Sequence, residues 1–380
     1  MSEQTIREAL EKALAESGLP GAAAAAVTPT GETISLAVGH KGVADPAPLL
    51  PDQMFWIASM TKAITSLVAL QLVAEGKLDL DAPVGPLVPE LAEPQVLEGF
   101  GEDGQPRLRP AREPVTLRRL LSHTSGLGYD FASPDLIRWL GHAGQTTMGP
   151  TPPAGLPLLF EPGADWAYGF GIDFAGRMIE AVTKQDLGTV FAERVFKPLG
   201  MADTGFSLTD AQRARLAPMH ARLPDGGLAP FPFGMPEPPF FQMGGGGLHS
   251  TAPDYLKFLE AVIGRGPQIL PPAQMKLFTE SQLTEPRPGV LKSAAKHLSN
   301  DFDAFPGQPT GWSLGFLVNL EPGPAGRAAG SLAWAGLSNC YYWADPKSGA
   351  AGVLMTQLLP FADPAALKLF EAFERAVYAD

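Results

Sequence analysis

Apolar residues recur at helical spacing at both ends and through the middle of the chain, and at strand spacing in two blocks near the ends. Residues 5–16 place Ile6, Leu10 and Leu14 on one stripe, with Thr5 and Glu8 spaced as a capping box and Gly18 and Pro20 as stops. Ala22–Thr28 and Glu32–Val38 read as a hairpin around Pro29-Thr30-Gly31. Residues 59–75 carry Ala63, Ile64, Leu67, Val68, Leu70, Leu72 and Val73 on most of the helix surface, so this helix is expected at the centre of the molecule, ended by Gly76. From 83 to 170 short helices alternate with Pro/Gly loops, and 171–197 predict a long amphipathic helical stretch. Residues 223–243 interleave Pro224, Pro230, Pro232, Pro236, Pro238 and Pro239 with phenylalanines, a density that predicts loop. After Gly244–Gly247, Ser250 or Thr251 caps a helix with Pro253 in its first turn. Trp312–Leu320, Ser331–Ala335, Asn339–Ala344 and Ala351–Leu358 return to strand, and Asp363 with Pro364 starts a last helix whose stripe is Leu367, Phe370, Phe373 and Val377.

This order predicts an α/β (α+β) fold. An antiparallel sheet flanked by helices is built from both termini, residues 1–82 and 280–380, and a mostly helical domain, residues 83–279 with the Pro/Phe-rich loop 223–243, is inserted between them. The 380 residues are 45% hydrophobic, enough for a sizeable core. The 42 glycines and 39 prolines, about a fifth of the chain, then belong to fixed loops of a folded protein and not to low complexity.

Charge and cysteine content narrow the partners. A net charge of −12 argues against nucleic acid and anionic membrane surfaces. The single Cys340 excludes an internal disulfide, and the spacing of the six histidines offers no metal motif, so neither metal nor cofactor is expected. No run of about 18 apolar residues and no signal-like N-terminus is present, which leads to the expectation of a cytoplasmic protein acting on a small molecule. The oligomeric state is left open.

Chemistry concentrates in Phe55-Trp-Ile-Ala-Ser59-Met-Thr-Lys62. A serine and a lysine three apart at a helix start share one face, and the helix's free N–H groups and positive end favour a developing oxyanion at the serine. A lysine acts as a base only when neutral, a state that burial and a nearby positive dipole favour. The same spacing recurs at Ser293-Ala-Ala-Lys296, in a polar stretch with no apolar helix behind it, and reads as a solvated surface segment. Glu161-Pro-Gly-Ala-Asp-Trp-Ala-Tyr168 is a turn that presents Tyr168 ahead of a helix, where a tyrosine near an ammonium relays protons. Trp334-Ala335-Gly336 ends a strand, where a small residue lets substrate approach and a backbone N–H serves as an oxyanion donor.

Ser59-Met-Thr-Lys62, Leu120-Leu-Ser-His-Thr-Ser-Gly-Leu127, Phe160-Glu-Pro-Gly163 leading to Tyr168, Gly244–Leu248 leading to Ser250-Thr251, and Trp334-Ala-Gly336 occur here in that order. In this the chain resembles the serine β-lactamase and penicillin-binding-protein superfamily from about residue 5 to 378, and most of all the family VIII carboxylesterases. The resemblance implies a β-lactamase/transpeptidase-like fold. It implies Ser59 as nucleophile, Lys62 and Tyr168 sharing acid and base work, and the backbone N–H groups of Ser59 and Leu337 as oxyanion hole; His123 is expected to be structural. Two motifs depart from the superfamily. Its Tyr-x-Asn is Tyr168-Gly169-Phe170 here, and its Lys-Thr-Gly is Trp334-Ala335-Gly336, so the two polar anchors for a charged β-lactam are missing.

The expectation is therefore a carboxylesterase that hydrolyses small apolar or aryl esters through a Ser59 acyl-enzyme, with Trp334, Gly336, Phe233 and Phe240 contacting substrate and the 223–243 loop walling the acyl pocket. A β-lactamase or D-amino-acid peptidase, an acyltransferase to a small alcohol or amine, and a catalytically silent binding protein on the same fold are the alternatives. Ser59→Ala is expected to abolish turnover of p-nitrophenyl acetate, whereas Ser293→Ala retains it; the reverse result in that assay would move the chemistry to the second motif.

Overall fold

In the computed structural model, which describes residues 2–147, 155–236, 239–285 and 287–379, both ends of the chain enter one eight-stranded antiparallel sheet. Its order is Thr310–Trp312, Leu317–Asn319, Leu332–Gly336, Cys340–Asp345, Ala350–Met355, Gly21–Val27, Thr33–Gly42 and Asp45–Pro48. The fold is the α+β arrangement that the sequence predicts, an antiparallel sheet flanked by helices, with helical segments between the two blocks of strands.

Helices cover both faces, and strand composition follows from that. In Cys340–Asp345, Tyr342 packs on Tyr255 of the helix Ala252–Val262, while its neighbour Trp343 packs on Phe370 and Phe373 of the C-terminal helix Pro364–Tyr378. Adjacent strand residues point to opposite faces, so the two helices lie on opposite sides of the sheet. The N-terminal helix Glu3–Ser17 lies beside the C-terminal one. Every residue of Gly21–Val27 is buried, and its five consecutive alanines suit a strand pressed from both sides. Ala252–Val262, from the middle of the chain, thus belongs to the layer covering the sheet.

The helix Thr61–Ala74 is buried on nearly all sides, as its apolar circumference demands, and packs against Gly171–Thr183 of the intervening region. Several elements differ from the pattern-based reading for local reasons. The N-terminal helix begins a turn early, capped by Ser2 and not by Thr5. The stretch 171–197 is broken where Lys184 adopts a left-handed conformation, and it restarts at Asp186, whose side chain caps Leu187–Phe191. The run 312–320 is two strands joined by a turn, with Ser313 Oγ accepting from Gly315 and Phe316 N–H. Within the proline-rich loop, Leu228–Pro230 pairs with His220–Arg222, and proline is tolerated there because the strand is an edge. On the last helix the buried side chains are Ala366, Leu369, Phe373 and Val377, while Leu367 and Phe370 are only partly covered.

In the sheet, Trp343 lies over Gly352, its register partner on the next strand. A Cβ at Gly352 would fall 2.2 Å from the indole ring. Gly352→Ala is therefore expected to lower stability by about 1–3 kcal/mol through overpacking, read as a shifted denaturant midpoint; an unchanged midpoint would mean that the indole relocates without cost.

Candidate active site

The segment carrying Ser59 is stitched to the glycine run. Phe55–Trp56 pairs with His249–Ser250, Ile57 N–H donates to the Leu248 carbonyl (3.0 Å), and Leu248 N–H donates to Thr61 Oγ1 (3.1 Å). Trp56 Nε1 reaches the Gly246 carbonyl at 2.8 Å, and Thr65 Oγ1 reaches that of Gly244 at 2.6 Å. Between these ties the chain turns sharply. Ala58 has φ 44°, and Ala58–Met60 form a 3₁₀ turn ahead of the α-helix, which starts at Thr61. Ser59 thus precedes the α-helix instead of opening it. A left-handed alanine is a strained conformation held by its surroundings. On one side stands Gly336, whose hypothetical Cβ would lie 2.3 Å from the Ile57 carbonyl oxygen. The small residue at this strand end is required by backbone meeting backbone.

Lys62 is buried, 2% exposed, and its ammonium has three acceptors: Ser59 Oγ at 3.2 Å, Tyr129 Oη at 3.0 Å and the Gly245 carbonyl at 2.6 Å. Tyr129 in turn donates to Asp173 Oδ2 (3.2 Å), and Gly245 N–H donates to Asp173 Oδ1 (2.9 Å). Burial, with the charge of Asp173 behind it, holds the Tyr129 hydroxyl well above its ordinary range, so it remains a phenol that gives its proton to Asp173 and accepts from Lys62. Burial likewise raises the Asp173 carboxyl, against the pull of Lys62. Gly245 admits this arrangement because any side chain there would meet the Asp173 carboxylate, 2.2 Å from the Cβ position. In the base form a lysine has two N–H groups and one lone pair; with the Gly245 carbonyl and the Tyr129 oxygen taking the two N–H groups, the lone pair would turn to Ser59.

Tyr168 is buried beside them, with Lys62 Nζ 4.7 Å from its ring centre. Trp334 Nε1 donates to Tyr168 Oη at 3.0 Å. Indole N–H is a donor only, so the tyrosine oxygen accepts and its own proton is free to turn elsewhere. Tyr168 also sits 4.8 Å from the His123 ring and 5.3 Å from that of Tyr129, centre to centre. Gly169 lets this segment pass Leu127, whose carbonyl lies 2.1 Å from where a Cβ would be. His123 is buried among Tyr168, Trp166 and Trp312, with neither ring nitrogen hydrogen-bonded among the described residues. Burial, reinforced by Lys62, holds its pKa well below the usual range, so it is a neutral packing group.

Ser59, Tyr168, Trp334, Gly336, Leu337 and Phe233 line one cavity of about 760 Å³ with mostly apolar walls. Phe233 stands against Trp56, ring centres 5.8 Å apart. Phe240, expected on the same wall, is 64% exposed and instead lines a neighbouring cavity of about 570 Å³; Phe170 and Met243 stand between the two. Lys296 of the second serine–lysine pair is exposed, as expected of a solvated surface, and also stands on the lining of the Ser59 cavity. Tyr129 and Asp173 are not singled out by the sequence, and Gly245 enters there only as part of the Gly244–Leu248 run. Tyr129 follows the Leu120–Leu127 stretch by two residues, and Asp173 is a lone carboxylate among Ile172, Phe174 and Ala175, the one local signal of its role. Among the described residues no group of three His, Cys, Asp or Glu is placed to hold a metal ion, and no helix is long and apolar enough to cross a membrane.

Residues 6–376 match the family model described as Beta-lactamase. Monacolin J acid methylbutanoyltransferase of Aspergillus terreus is 33% identical over 362 residues, spanning 87% of this chain and 83% of that protein. Lovastatin esterase of Penicillium rubens is 32% identical, spanning 86% and 85%. Among solved structures, a mutant simvastatin synthase from Aspergillus terreus superposes with a TM-score of 0.85 at 33% identity, covering 98% of this chain and 96% of the other.

A buried histidine kept neutral couples stability to pH. Below the unfolded-state value of about 6.5 the unfolded chain takes up a proton that folded His123 refuses, so its contribution is complete above that pH and is lost as pH falls. His123→Phe is expected to flatten the fall in Tm between pH 7 and 5; equal slopes in both proteins would show that His123 is protonated in the fold.

Proposed function

The chain belongs to the beta-lactamase family as a serine-nucleophile hydrolase/acyltransferase, and from that premise we propose that its main reaction is acyl transfer to the hydroxyl of an apolar alcohol, through an acyl-enzyme on Ser59. The observation that carries this reading is the size and lining of the Ser59 cavity. About 760 Å³ is far more than a short-chain ester fills, and lies in the range of drug-sized ligands. Apolar walls favour an alcohol skeleton over water as the second reactant. The acyltransferase and esterase names of its relatives agree with one acyl-enzyme and two fates for it.

In the first half, Ser59 Oγ attacks the donor carbonyl and passes its proton to Lys62 in its base form, whose Nζ lies 3.2 Å away. The oxyanion is received by the backbone N–H groups of Ser59 and Leu337. As the carbonyl–leaving-group bond breaks, the departing oxygen or sulfur takes a proton from Tyr168, which Lys62 replenishes. In the second half the acceptor hydroxyl loses its proton to Lys62 or Tyr168 as its oxygen bonds to the acyl carbon, and the Ser59 Oγ–acyl bond breaks with return of a proton to Ser59. Asp173 and Tyr129 position Lys62. Trp334 orients the Tyr168 hydroxyl and supplies an aromatic wall where the superfamily carries a cation. With that cation and the Tyr-x-Asn amide both absent, β-lactam turnover is a minor activity at most.

Hydrolysis is the second reading, supported by the esterase relative. Product analysis with p-nitrophenyl butyrate and apolar alcohols of graded size separates them. Transfer predicts that the butyrate ester of the alcohol replaces free butyrate as acceptor concentration rises; free butyrate alone at every concentration would establish a hydrolase. Trp334→Phe, which keeps an aromatic ring but removes the bond to Tyr168, is expected to lower kcat by about 2- to 10-fold, the equivalent of one neutral hydrogen bond. An unaltered kcat would detach Trp334 from the chemistry.

A further inference from the structure

Lys62 lies sealed between two cavities. Ser59, Tyr129 and Gly245 stand on the lining of the larger one, and Asp173 on that of its neighbour, whereas Lys62 is on neither. A chain of hydrogen bonds joins the lysine to the second cavity: Nζ to Tyr129 Oη at 3.0 Å, and Tyr129 Oη to Asp173 Oδ2 at 3.2 Å. Asp173 Oδ1 is fixed by Gly245 N–H at 2.9 Å, which leaves Oδ2 to the tyrosine.

This placement answers a need of the site. Three acceptors around Nζ suit an ammonium, and an ammonium cannot take the Ser59 proton. An ester in the Ser59 cavity displaces solvent from that side. Moving one proton from Lys62 to Asp173 turns a buried ammonium–carboxylate pair into an amine and an acid, with no change in net charge. Desolvation favours the neutral forms, and burial indeed raises the Asp173 carboxyl. The neighbouring titratable groups leave the chain uninterrupted. Tyr168 lies on the Ser59 side, its ring centre 4.7 Å from Nζ, and His123 beside it is neutral. Asp130 accepts from Thr147 Oγ1 at 2.8 Å. Around the second cavity Arg177 is bonded to Glu90, Glu180 accepts Leu187 N–H at 3.1 Å, and Asp186 caps the helix that follows.

We propose that Asp173 is the proton acceptor that turns Lys62 into a base, with Tyr129 as the carrier between them. The Lys62 N–H bond facing Tyr129 breaks as Tyr129 Oη gains that proton, and the original Tyr129 O–H bond breaks as Asp173 Oδ2 gains the other. The products are an amine, a phenol and a carboxylic acid. A turn of the amine about its last C–N bond then presents the lone pair to Ser59. The reverse transfer restores the ion pair once the serine has its proton back. Asp173 touches no reacting atom and acts through Lys62. The proposal rests on the Ser59 acyl-enzyme with Lys62 as base, and it holds whether water or an alcohol takes the acyl group.

The test is the pH profile of kcat/KM for p-nitrophenol release from p-nitrophenyl butyrate, which reports acylation and has a leaving group that needs no acid. Internal transfer leaves the proton count of the site unchanged, so the wild-type profile is expected to be flat from about pH 6 to 8. Asp173→Asn keeps an acceptor for Gly245 N–H but takes no proton, and Tyr129→Phe removes the carrier while the carboxylate stays. In both variants Lys62 must lose its proton to solvent. Their kcat/KM is expected to lie about 10- to 100-fold below wild type at pH 7 and to rise about tenfold per pH unit. Convergence of Asp173→Asn on wild type above about pH 9 shows that the variant is folded. Glu180→Gln, on the same helix and cavity, keeps its acceptor for Leu187 N–H and retains the flat profile. A carboxylate that merely held the ammonium gives the opposite sign, because its removal favours the amine. Asp173→Asn equal to or faster than wild type at pH 7, or a wild-type profile that itself climbs tenfold per unit from pH 6 to 8, therefore overturns the relay and leaves the acyl-enzyme standing. Release that survives Ser59→Ala overturns the acyl-enzyme and the relay with it.

Discussion

An ammonium group inside an apolar helix must be given three acceptors, and much of the architecture around Lys62 exists to deliver them. One comes from the turn before its own helix, one from the loop after residue 128, and one from a glycine backbone more than a hundred residues further on. An unpaired buried charge costs several kcal/mol, so these segments cannot separate without large loss. The same requirement accounts for the glycine run. Gly245 presents its carbonyl to Lys62 and its N–H to Asp173, and only a residue without a side chain fits between a lysine and a carboxylate.

The sheet serves this constellation by fixing one strand end. Leu332–Gly336 brings Trp334 to Tyr168 and presses Gly336 on Ile57, so the nucleophile's turn is braced on one side by the sheet and on the other by Leu248. Large aromatics on alternate faces of Cys340–Asp345, and alanines in Gly21–Val27, let helices close over both sides without distorting that end.

Much of this was legible in the chain. The apolar circumference of 59–75 located the central helix, and the serine–lysine spacing located the site, because both depend on neighbours in sequence. What stayed hidden depends on tertiary approach. Tyr129 meets Lys62, and Asp173 meets Tyr129, only when a loop and a separate helix pack against the central helix, and no local pattern distinguishes them from core residues. The second serine–lysine pair reads as solvated surface, and Lys296 is exposed, standing at the edge of the Ser59 cavity. Phe240 looks equivalent to Phe233 in a loop of alternating prolines and phenylalanines, but the two rings line different cavities. The choice between water and alcohol lies beyond the sequence motif, because both reactants meet the same acyl-enzyme.

The hydrogen bond from Trp334 to Tyr168 ties two properties that are often altered independently. In a site where one side chain shapes the substrate and another moves protons, either can drift while the other is conserved. In the proposed reaction the aromatic wall is also the donor that orients the proton-carrying Tyr168. A change that reshapes the cavity at this position therefore changes proton handling at the same stroke, and new substrates are more readily admitted from the loop side, through Phe233 and its neighbours, than from the strand.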